Sequence, residues 1–275
     1  MRSPDLTPGS GALPSDVRAE VAVILMAGAG SRLGNAGGAI AKPLVRIGDR
    51  PLICYALGAL KRAGVKSVHA VMGANSERLA DAVRPLVPET MEFNVIVNPE
   101  WQKQNGVSVL AAAPHVRSPF FLTMGDHLFE YAVLEALLSF ETPSAVKLAV
   151  DRKISSIFDL DDAMKVQTNG EHITAIAKDL PRYNAIDTGV FLCSPEIFTY
   201  LERAKRNGDC SLADGVRLMA EERKAYAVDI GDAWWQDVDT PEMLARAQQE
   251  SARLLRDGGR GLPEESVARE RGADR

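Results

Sequence analysis

"VILMAGAGSRLG", residues 23–34, decides the fold, because an apolar strand-like run passes directly into glycines, a serine and an arginine. Such a turn lets the backbone approach a ligand closely, and its successive N–H groups attract phosphate. The Walker loop needs a lysine followed by Ser or Thr, which is missing at that spacing. The dinucleotide loop needs GxGxxG, whereas the third glycine here comes one residue late. A third kind of phosphate loop is therefore indicated.

Outward from this stretch, apolar strand-like runs alternate with helical patterns. Strands are predicted at residues 21–27, 67–73, 92–98 and 119–126, and helices at 51–65, 76–86 and 106–116. This alternation predicts an α/β domain whose mostly parallel central sheet carries helices on both faces. After residue 150 the strand candidates crowd together, at 144–150, 164–168, 173–177, 187–193, 225–230 and 234–240, with helices at 195–206, 211–223 and from Pro241. They predict a small mixed-sheet extension on one side of a cleft.

Composition narrows the class of protein. The chain has 275 residues, 46% of them hydrophobic, and a net charge of −5. We expect one domain over residues 20–257, with a disordered lead (1–19) and a disordered tail (258–275). The negative charge argues against nucleic acid or an anionic membrane as partner. Without a signal peptide, an apolar spanning segment or a paired-cysteine pattern, a soluble cytoplasmic protein is expected.

The loop has the form G-x-G-[ST]-R-L, followed about ten residues later by K-P-L at Lys42. This pattern resembles the nucleotidyltransferases, which move a nucleoside monophosphate from an NTP onto a phosphorylated acceptor. Arg32 and Lys42 would neutralise charge on the departing pyrophosphate. The loop and its approach would bind the nucleotide through Met26, Ala27, Gly28, Ala29, Gly30 and Ser31. The alternative is an ordinary glycine-rich turn with a surface arginine and lysine.

Two aspartates are candidate ligands of Mg²⁺, which phosphoryl transfer between two anions requires. Asp126 ends the apolar run "FFLTMGD", and ligands of parallel sheets collect at that end of a strand. Asp237 lies in "WWQDVDTPEML" and matches the second metal carboxylate of the nucleotidyltransferases. Each could instead be part of a turn or of a helix start, with Thr240 as N-cap. His127 is assigned no catalytic role.

Several further segments resemble the CTP:inositol-1-phosphate cytidylyltransferases over residues 21–248, among them "QNGVSVLAA", "MGDHLFE" and "IAKDLPRYNAIDTGVF". The resemblance implies a nucleotide-diphospho-sugar-transferase-like fold. It implies base reading by Asn105, Gly106 and Ser108, although Asn105-Gly106 could be only a helix entry. It implies acceptor binding by Lys178, Asn184 and Asp187, with Lys178 holding the acceptor phosphate. Gly125 departs from the family, which has serine before the metal acid.

The expected activity is transfer of CMP from CTP to a phosphorylated alcohol, most consistent with inositol 1-phosphate, with release of pyrophosphate. A sugar 1-phosphate, choline phosphate or a phosphonate as acceptor remains an alternative within the same fold. From a different class, the chain could be an inactive nucleotide-sensing module. Relatives often carry a membrane-embedded domain after this one, and the sequence is expected to contain no membrane segment. The oligomeric state cannot be read from the sequence.

Overall fold

The computed structural model describes residues 19–27, 41–73, 76–142 and 145–258; of the side chains after Glu250 it describes that of Leu254. The glycine loop expected to bind phosphate, Gly28, Ala29, Gly30 and Ser31 with Arg32, lies outside the described residues. So do most of the lead (1–19) and of the tail (258–275). Ala19, at the end of the expected lead, is buried in the core.

Thirteen strands and seven α-helices make up the described part of the chain. The strands are β1 (Val21–Leu25), β2 (Arg46–Ile47), β3 (Arg50–Pro51), β4 (Ser67–Met72), β5 (Glu92–Val97), β6 (Phe120–Met124), β7 (His127–Phe129), β8 (Val146–Asp151), β9 (Lys165–Asn169), β10 (His172–Ala177), β11 (Ala185–Cys193), β12 (Ala225–Asp229) and β13 (Trp235–Asp237). The helices are α1 (Leu52–Arg62), α2 (Glu77–Val83), α3 (Asn105–Ala111), α4 (Tyr131–Ser139), α5 (Glu196–Ala204), α6 (Leu212–Glu221) and α7 (Pro241–Gly258).

Nine strands form one sheet in the order β5-β4-β1-β6-β11-β8-β12-β10-β9. The first four are mutually parallel, as predicted, and β1 is central among them, with β4 on one side and β6 on the other. β11 joins antiparallel to both β6 and β8, so the expected mixed-sheet extension continues the main sheet. The α/β class and the helix-covered sheet predicted from the sequence are confirmed.

The sheet is covered by helices on both faces. One core packs under α3, α5 and α6 and includes Val107, Ile197 and Val216. The other packs under α1, α2 and α4 and includes Leu57 and Leu134. Full burial of one such aliphatic side chain contributes about 1.5–3 kcal/mol, so the two apolar cores hold the three layers together.

Two elements near the site, β7 and α4, have no counterpart among the strands and helices predicted from the sequence, whereas β13 lies within the strand predicted at 234–240. The short ribbon of β7 and β13 pairs antiparallel, with Asp237 opposite His127. It packs near α1 and α7 through a third apolar cluster that includes Leu128 and Val238. α4 was also not predicted, and no side chain caps its N-terminus, so the usual start signal is missing. The pairing of β13 with β7 brings Asp237 to the carboxyl ends of the parallel strands.

Within the described ranges, no helix is both long enough and apolar enough to cross a membrane. A cytoplasmic location stays a prediction from the sequence.

Candidate active site

Lys42 lies at the centre of a cluster of carboxylates at the carboxyl end of the parallel strands. Its Nζ lies 3.0 Å from Oδ2 of Asp126 and also forms an ion pair with Asp239. Pro43 is buried and follows Lys42 in a short 3₁₀ turn, which fixes the direction from which the lysine enters. Burial alone would lower the pKa of Lys42, but the two carboxylates outweigh it and hold that pKa above its ordinary value. Lys42 is therefore a fixed positive charge.

His127 orients the carboxylate of Asp126 from the other side. Its Nδ1 lies 2.8 Å from Oδ1 of Asp126, so His127 and Lys42 each contact a different oxygen of that carboxylate. Burial would raise the pKa of Asp126, but the hydrogen bond and charge of His127, with the charge of Lys42, lower it. Burial would lower the pKa of His127, and Asp126, Asp237 and Asp187 raise it. The imidazole thus lies in the field of three carboxylates.

Asp237 and Asp187 are the carboxylates of the cluster whose pKa is raised, because neighbouring groups do not outweigh the effect of burial. Burial raises the pKa of Asp237, and the nearby charges of Asp239 and Asp126 raise it further, against the effect of His127. Burial raises the pKa of Asp187 to about 6, although Gly189 N–H donates to Oδ1 of Asp187 at 2.7 Å. Among the residues that the structure describes, the site therefore holds more carboxylates than cationic side chains to balance them.

A divalent cation fits this excess of carboxylates. Asp126 immediately precedes β7, and Asp237 ends the neighbouring strand β13. The two segments are joined there, because Val238 N–H donates to the backbone oxygen of Asp126 at 3.0 Å. Among the described residues, no three His, Cys, Asp or Glu side chains form a group that could hold a metal alone. Mg²⁺ typically takes one or two protein carboxylates and completes its shell with water and substrate phosphate. The donor set matches that mode of binding.

The approach to the glycine loop is close-packed against β6. Met26 is buried, its N–H donates to Val71 O at 2.8 Å, and Ala27 follows it at the edge of the described range. A Cβ at Gly125 would lie 2.6 Å from Cγ of Met26 and 3.2 Å from Pro43. The glycine that departs from the family pattern is therefore explained by the space that Met26 occupies.

The three residues expected to read the base all have contacts that hold α3 in place. Asn105 Oδ1 accepts from Leu212 N–H at 2.8 Å, and Ser108 Oγ accepts from Asn98 at 3.0 Å. A Cβ at Gly106 would lie 2.6 Å from the backbone oxygen of Cys210. Asn105 also lines a cavity beside the carboxylate cluster. Base reading by these residues stays a prediction, and a structural reason for each is now evident.

A cavity of about 480 Å³ opens beside the carboxylate cluster, and two of the three expected acceptor residues line it. Asp187 and Lys178 line it, and Nζ of Lys178 lies 2.5 Å from Asp162. Asn184 is exposed and engaged elsewhere, because its Oδ1 accepts from Thr168 N–H at 2.9 Å. The structure thus brings Lys178 and Asp187 to one cavity and gives Asn184 a role in the turn between strands.

Four residues at the site were not among those expected from the sequence. Asp239 pairs with Lys42, and its neighbouring position to Asp237 in "DVDTP" was the available signal. Trp235 donates from Nε1 to Oδ2 of the buried Asp151 at 3.0 Å, and both line the cavity. Gly189 lies against His127. Contacts such as these join positions far apart in the chain, so a local sequence pattern does not predict them.

Comparison with known proteins finds relatives that match most of this chain. The chain is 34% identical over 257 residues to the bifunctional IPC transferase and DIPP synthase of Thermococcus kodakarensis, covering 91% of this chain and 54% of that protein. It is 29% identical over 242 residues to the CMP-5'-(3-aminopropyl)phosphonate synthase of Streptomyces rubellomurinus, covering 80% of this chain and 37% of that protein. The chain spans about half the length of the curated relatives it matches.

Among solved structures, the inositol-1-phosphate CTP transferase from T. maritima superposes with a TM-score of 0.80 at 26% identity, covering 91% of this chain and 100% of that one. The fold is that of the nucleotide-diphospho-sugar transferases. Residues 22–158, which include Lys42 and Asp126, match the model of the MobA-like NTP transferase domain. The chain belongs to the MobA-like NTP transferase family.

Proposed function

We propose that this protein is a cytidylyltransferase that moves CMP from CTP to inositol 1-phosphate and releases pyrophosphate. The observation that carries the proposal is the contact of Lys42 with Asp126, 3.0 Å apart, near Asp237 and about ten residues after the glycine loop in the sequence. Nucleotidyl transfer needs a positive charge to offset the leaving pyrophosphate and carboxylates to hold a divalent cation. A lysine and two carboxylates at this position would meet both needs. The named relatives support CTP as the donor and inositol phosphate as the acceptor.

In the proposed reaction, an oxygen of the acceptor phosphate attacks the α-phosphorus of CTP in line. The bond from that phosphorus to the β-phosphate oxygen breaks, and pyrophosphate leaves with its electron pair. Positive charge from Lys42, and from Arg32 of the glycine loop, would offset the charge that develops on the pyrophosphate. No covalent enzyme intermediate is required, so the contribution of the protein is positioning and charge neutralisation.

Asp126 and Asp237 would hold the divalent cation, for which we propose Mg²⁺. When bound, the cation supplies charge neutralisation and alignment of the phosphates. His127 keeps one oxygen of Asp126 fixed at 2.8 Å, and Lys42 holds the other. The carboxylate is therefore oriented before any ligand arrives, which lowers the cost of assembling the site.

The cavity beside the cluster is where the acceptor would bind. Asp151, Asp187 and Asp237 supply carboxylate oxygens to it, which can accept hydrogen bonds from the hydroxyls of a polyol. The relative named for an aminopropylphosphonate product makes a phosphonate the second candidate acceptor. Carboxylates could also pair with an amine of that kind of acceptor, so the two must be compared directly.

The test measures pyrophosphate release by the purified protein with Mg²⁺. The four ribonucleoside triphosphates are crossed with inositol 1-phosphate, choline phosphate, an aminoalkylphosphonate and several sugar 1-phosphates. We expect release with CTP and inositol 1-phosphate. Release with CTP and a different acceptor would retain the cytidylyltransferase and replace its substrate. Binding of CTP without release in any combination would instead favour a nucleotide-sensing module.

A further inference from the structure

Among the described residues, three lysine and arginine side chains line the acceptor cavity, and two of them already have carboxylate partners. Lys153 Nζ lies 3.0 Å from Oδ1 of the buried Asp151 and donates to the backbone oxygen of Gly231 at 2.5 Å. Lys178 Nζ lies 2.5 Å from Asp162, and its side chain is largely exposed. Both lysines therefore compensate protein carboxylates in the structure as described.

Arg246 is the third of these cations, and its guanidinium group is mostly unused. This half-buried side chain on α7 makes one hydrogen bond, from Nη2 to Ser156 O at 3.3 Å. No carboxylate within the described ranges lies within ion-pair distance of it. Its guanidinium lies 5.6 Å from the ring centre of Phe158, which is 51% exposed at the same cavity. An arginine has five N–H donors, and most of those of Arg246 remain available.

The position of Arg246 along α7 brings it close to the metal-binding segment. Met243 precedes it by three residues and shares its helix face, and both line the cavity. Sδ of Met243 accepts from Asp239 N–H at 3.4 Å, and Thr240 Oγ1 caps the helix by accepting from Met243 N–H at 3.3 Å. Arg246 therefore lies about one helical turn beyond Met243, which contacts Asp239, and it lines the cavity beside the carboxylate cluster.

We propose that Arg246 binds the phosphate group of the acceptor, an assignment that rests on the proposed function. A guanidinium can take two phosphate oxygens at once, which an ammonium cannot do with the same geometry. The ring of Phe158 lies near the guanidinium and restricts its orientation. The arginine is therefore partly ordered before the ligand binds, which lowers the entropy cost of binding. The attacking oxygen belongs to that phosphate, and Arg246 acts by positioning it rather than by transferring a proton.

The test compares Arg246→Gln and Arg246→Lys with Arg78→Gln, a matched loss of arginine on the exposed face of α2. We expect Arg246→Gln to raise the KM for inositol 1-phosphate about 10- to 100-fold, with the KM for CTP within about twofold of the wild type. Arg246→Lys should recover part of the loss, because it keeps the charge without the fork of donors. Arg78→Gln should change neither constant.

Calorimetry without CTP separates phosphate binding from a structural effect. Arg246→Gln should weaken binding of inositol 1-phosphate and leave binding of myo-inositol unchanged. Equal weakening of both ligands, or an unchanged KM for the acceptor, would overturn the assignment and leave Arg246 as a support for the Phe158 segment. Failure of the proposed function has a different signature, since wild-type protein would then release no pyrophosphate from CTP. In that event, binding of inorganic phosphate to wild type and to Arg246→Gln still decides the role of Arg246.

Discussion

The imidazole of His127 occupies the space where a side chain at residue 189 would begin. A Cβ on Gly189 would lie 2.4 Å from Nε2 of His127 and 2.5 Å from its Cδ2. Gly189 also has φ +70°, a conformation that L side chains rarely adopt. The other ring nitrogen of His127, Nδ1, is 2.8 Å from Asp126. A glycine on β11 therefore determines where a carboxylate at the end of β6 is held.

Gly189→Ala should consequently destabilise the protein and impair turnover. The left-handed conformation alone costs an alanine about 1–2 kcal/mol, and displacement of His127 adds to that cost. The matched control is Gly170→Ala, because Gly170 has φ +60° but would meet nothing within 4 Å. Urea unfolding and pyrophosphate release measure the two effects. Equal losses of stability and equal rates in the two variants would contradict a role for the contact with His127.

Much of the scaffold could be predicted from local patterns. The strands β1, β4, β5 and β6 are apolar runs with turn residues at their ends, and each lies within two residues of its predicted bounds. Helix α7 begins at Pro241 behind the cap of Thr240, as its start signals indicate. Patterns of this kind depend on a few neighbouring residues, so one sequence suffices to detect them.

Contacts between distant positions could not be predicted in the same way. Lys42 and Asp239 are 197 positions apart, and their ion pair depends on the pairing of β7 with β13. β7 has only three residues, too few for an alternating pattern to be recognised. β13 lies within the strand predicted at 234–240, but no local pattern shows that it pairs with β7. Asp126 and Asp237 could be proposed as metal ligands from resemblance, whereas their proximity at one end of the ribbon required the fold.

Lys42→Ala should lower kcat about 100-fold or more, since it removes a preorganised charge from the site. It also leaves Asp126 and Asp239 without their shared cation, so the expected loss includes a poorly oriented Asp126. Lys66→Ala is the control, because Lys66 is exposed and pairs with Glu20 on the surface. Turnover is followed by pyrophosphate release and folding by circular dichroism. Turnover of Lys42→Ala at the wild-type rate would remove Lys42 from the proposed mechanism.

Asn105→Asp should distinguish base reading from a structural role. The aspartate keeps an oxygen that can accept from Leu212 N–H, now 2.8 Å from Asn105 Oδ1, but it loses the amide NH₂. If the NH₂ group reads cytosine, kcat/KM for CTP relative to UTP should fall about 10-fold or more, with the unfolding midpoint nearly unchanged. Asn105→Ala removes both groups and should also destabilise the start of α6. An unchanged ratio of CTP to UTP in Asn105→Asp would assign Asn105 to the scaffold alone.

Acidification should destabilise the protein through His69 on β4. Burial lowers the pKa of His69, the neighbouring His115 in the turn after α3 lowers it further, and Glu92 on β5 partly opposes both. Just below the ordinary pKa of about 6.5, the unfolded chain binds a proton at this position that the folded protein does not. The free energy of unfolding should therefore be intact above pH 6.5 and fall as the pH drops toward the lower pKa of the folded state.

His69→Gln should flatten that part of the pH profile, because glutamine does not titrate. Urea unfolding at pH 5, 6, 7 and 8 measures the slope for the wild type and the variant. His115→Gln removes one cause of the lowered pKa and should reduce the slope without abolishing it. Glu92→Gln removes the opposing charge, so the pKa of His69 should fall further. The slope of this variant should then be steeper than that of the wild type, or extend to lower pH. Identical slopes in the wild type and His69→Gln would show that another group governs stability over this range.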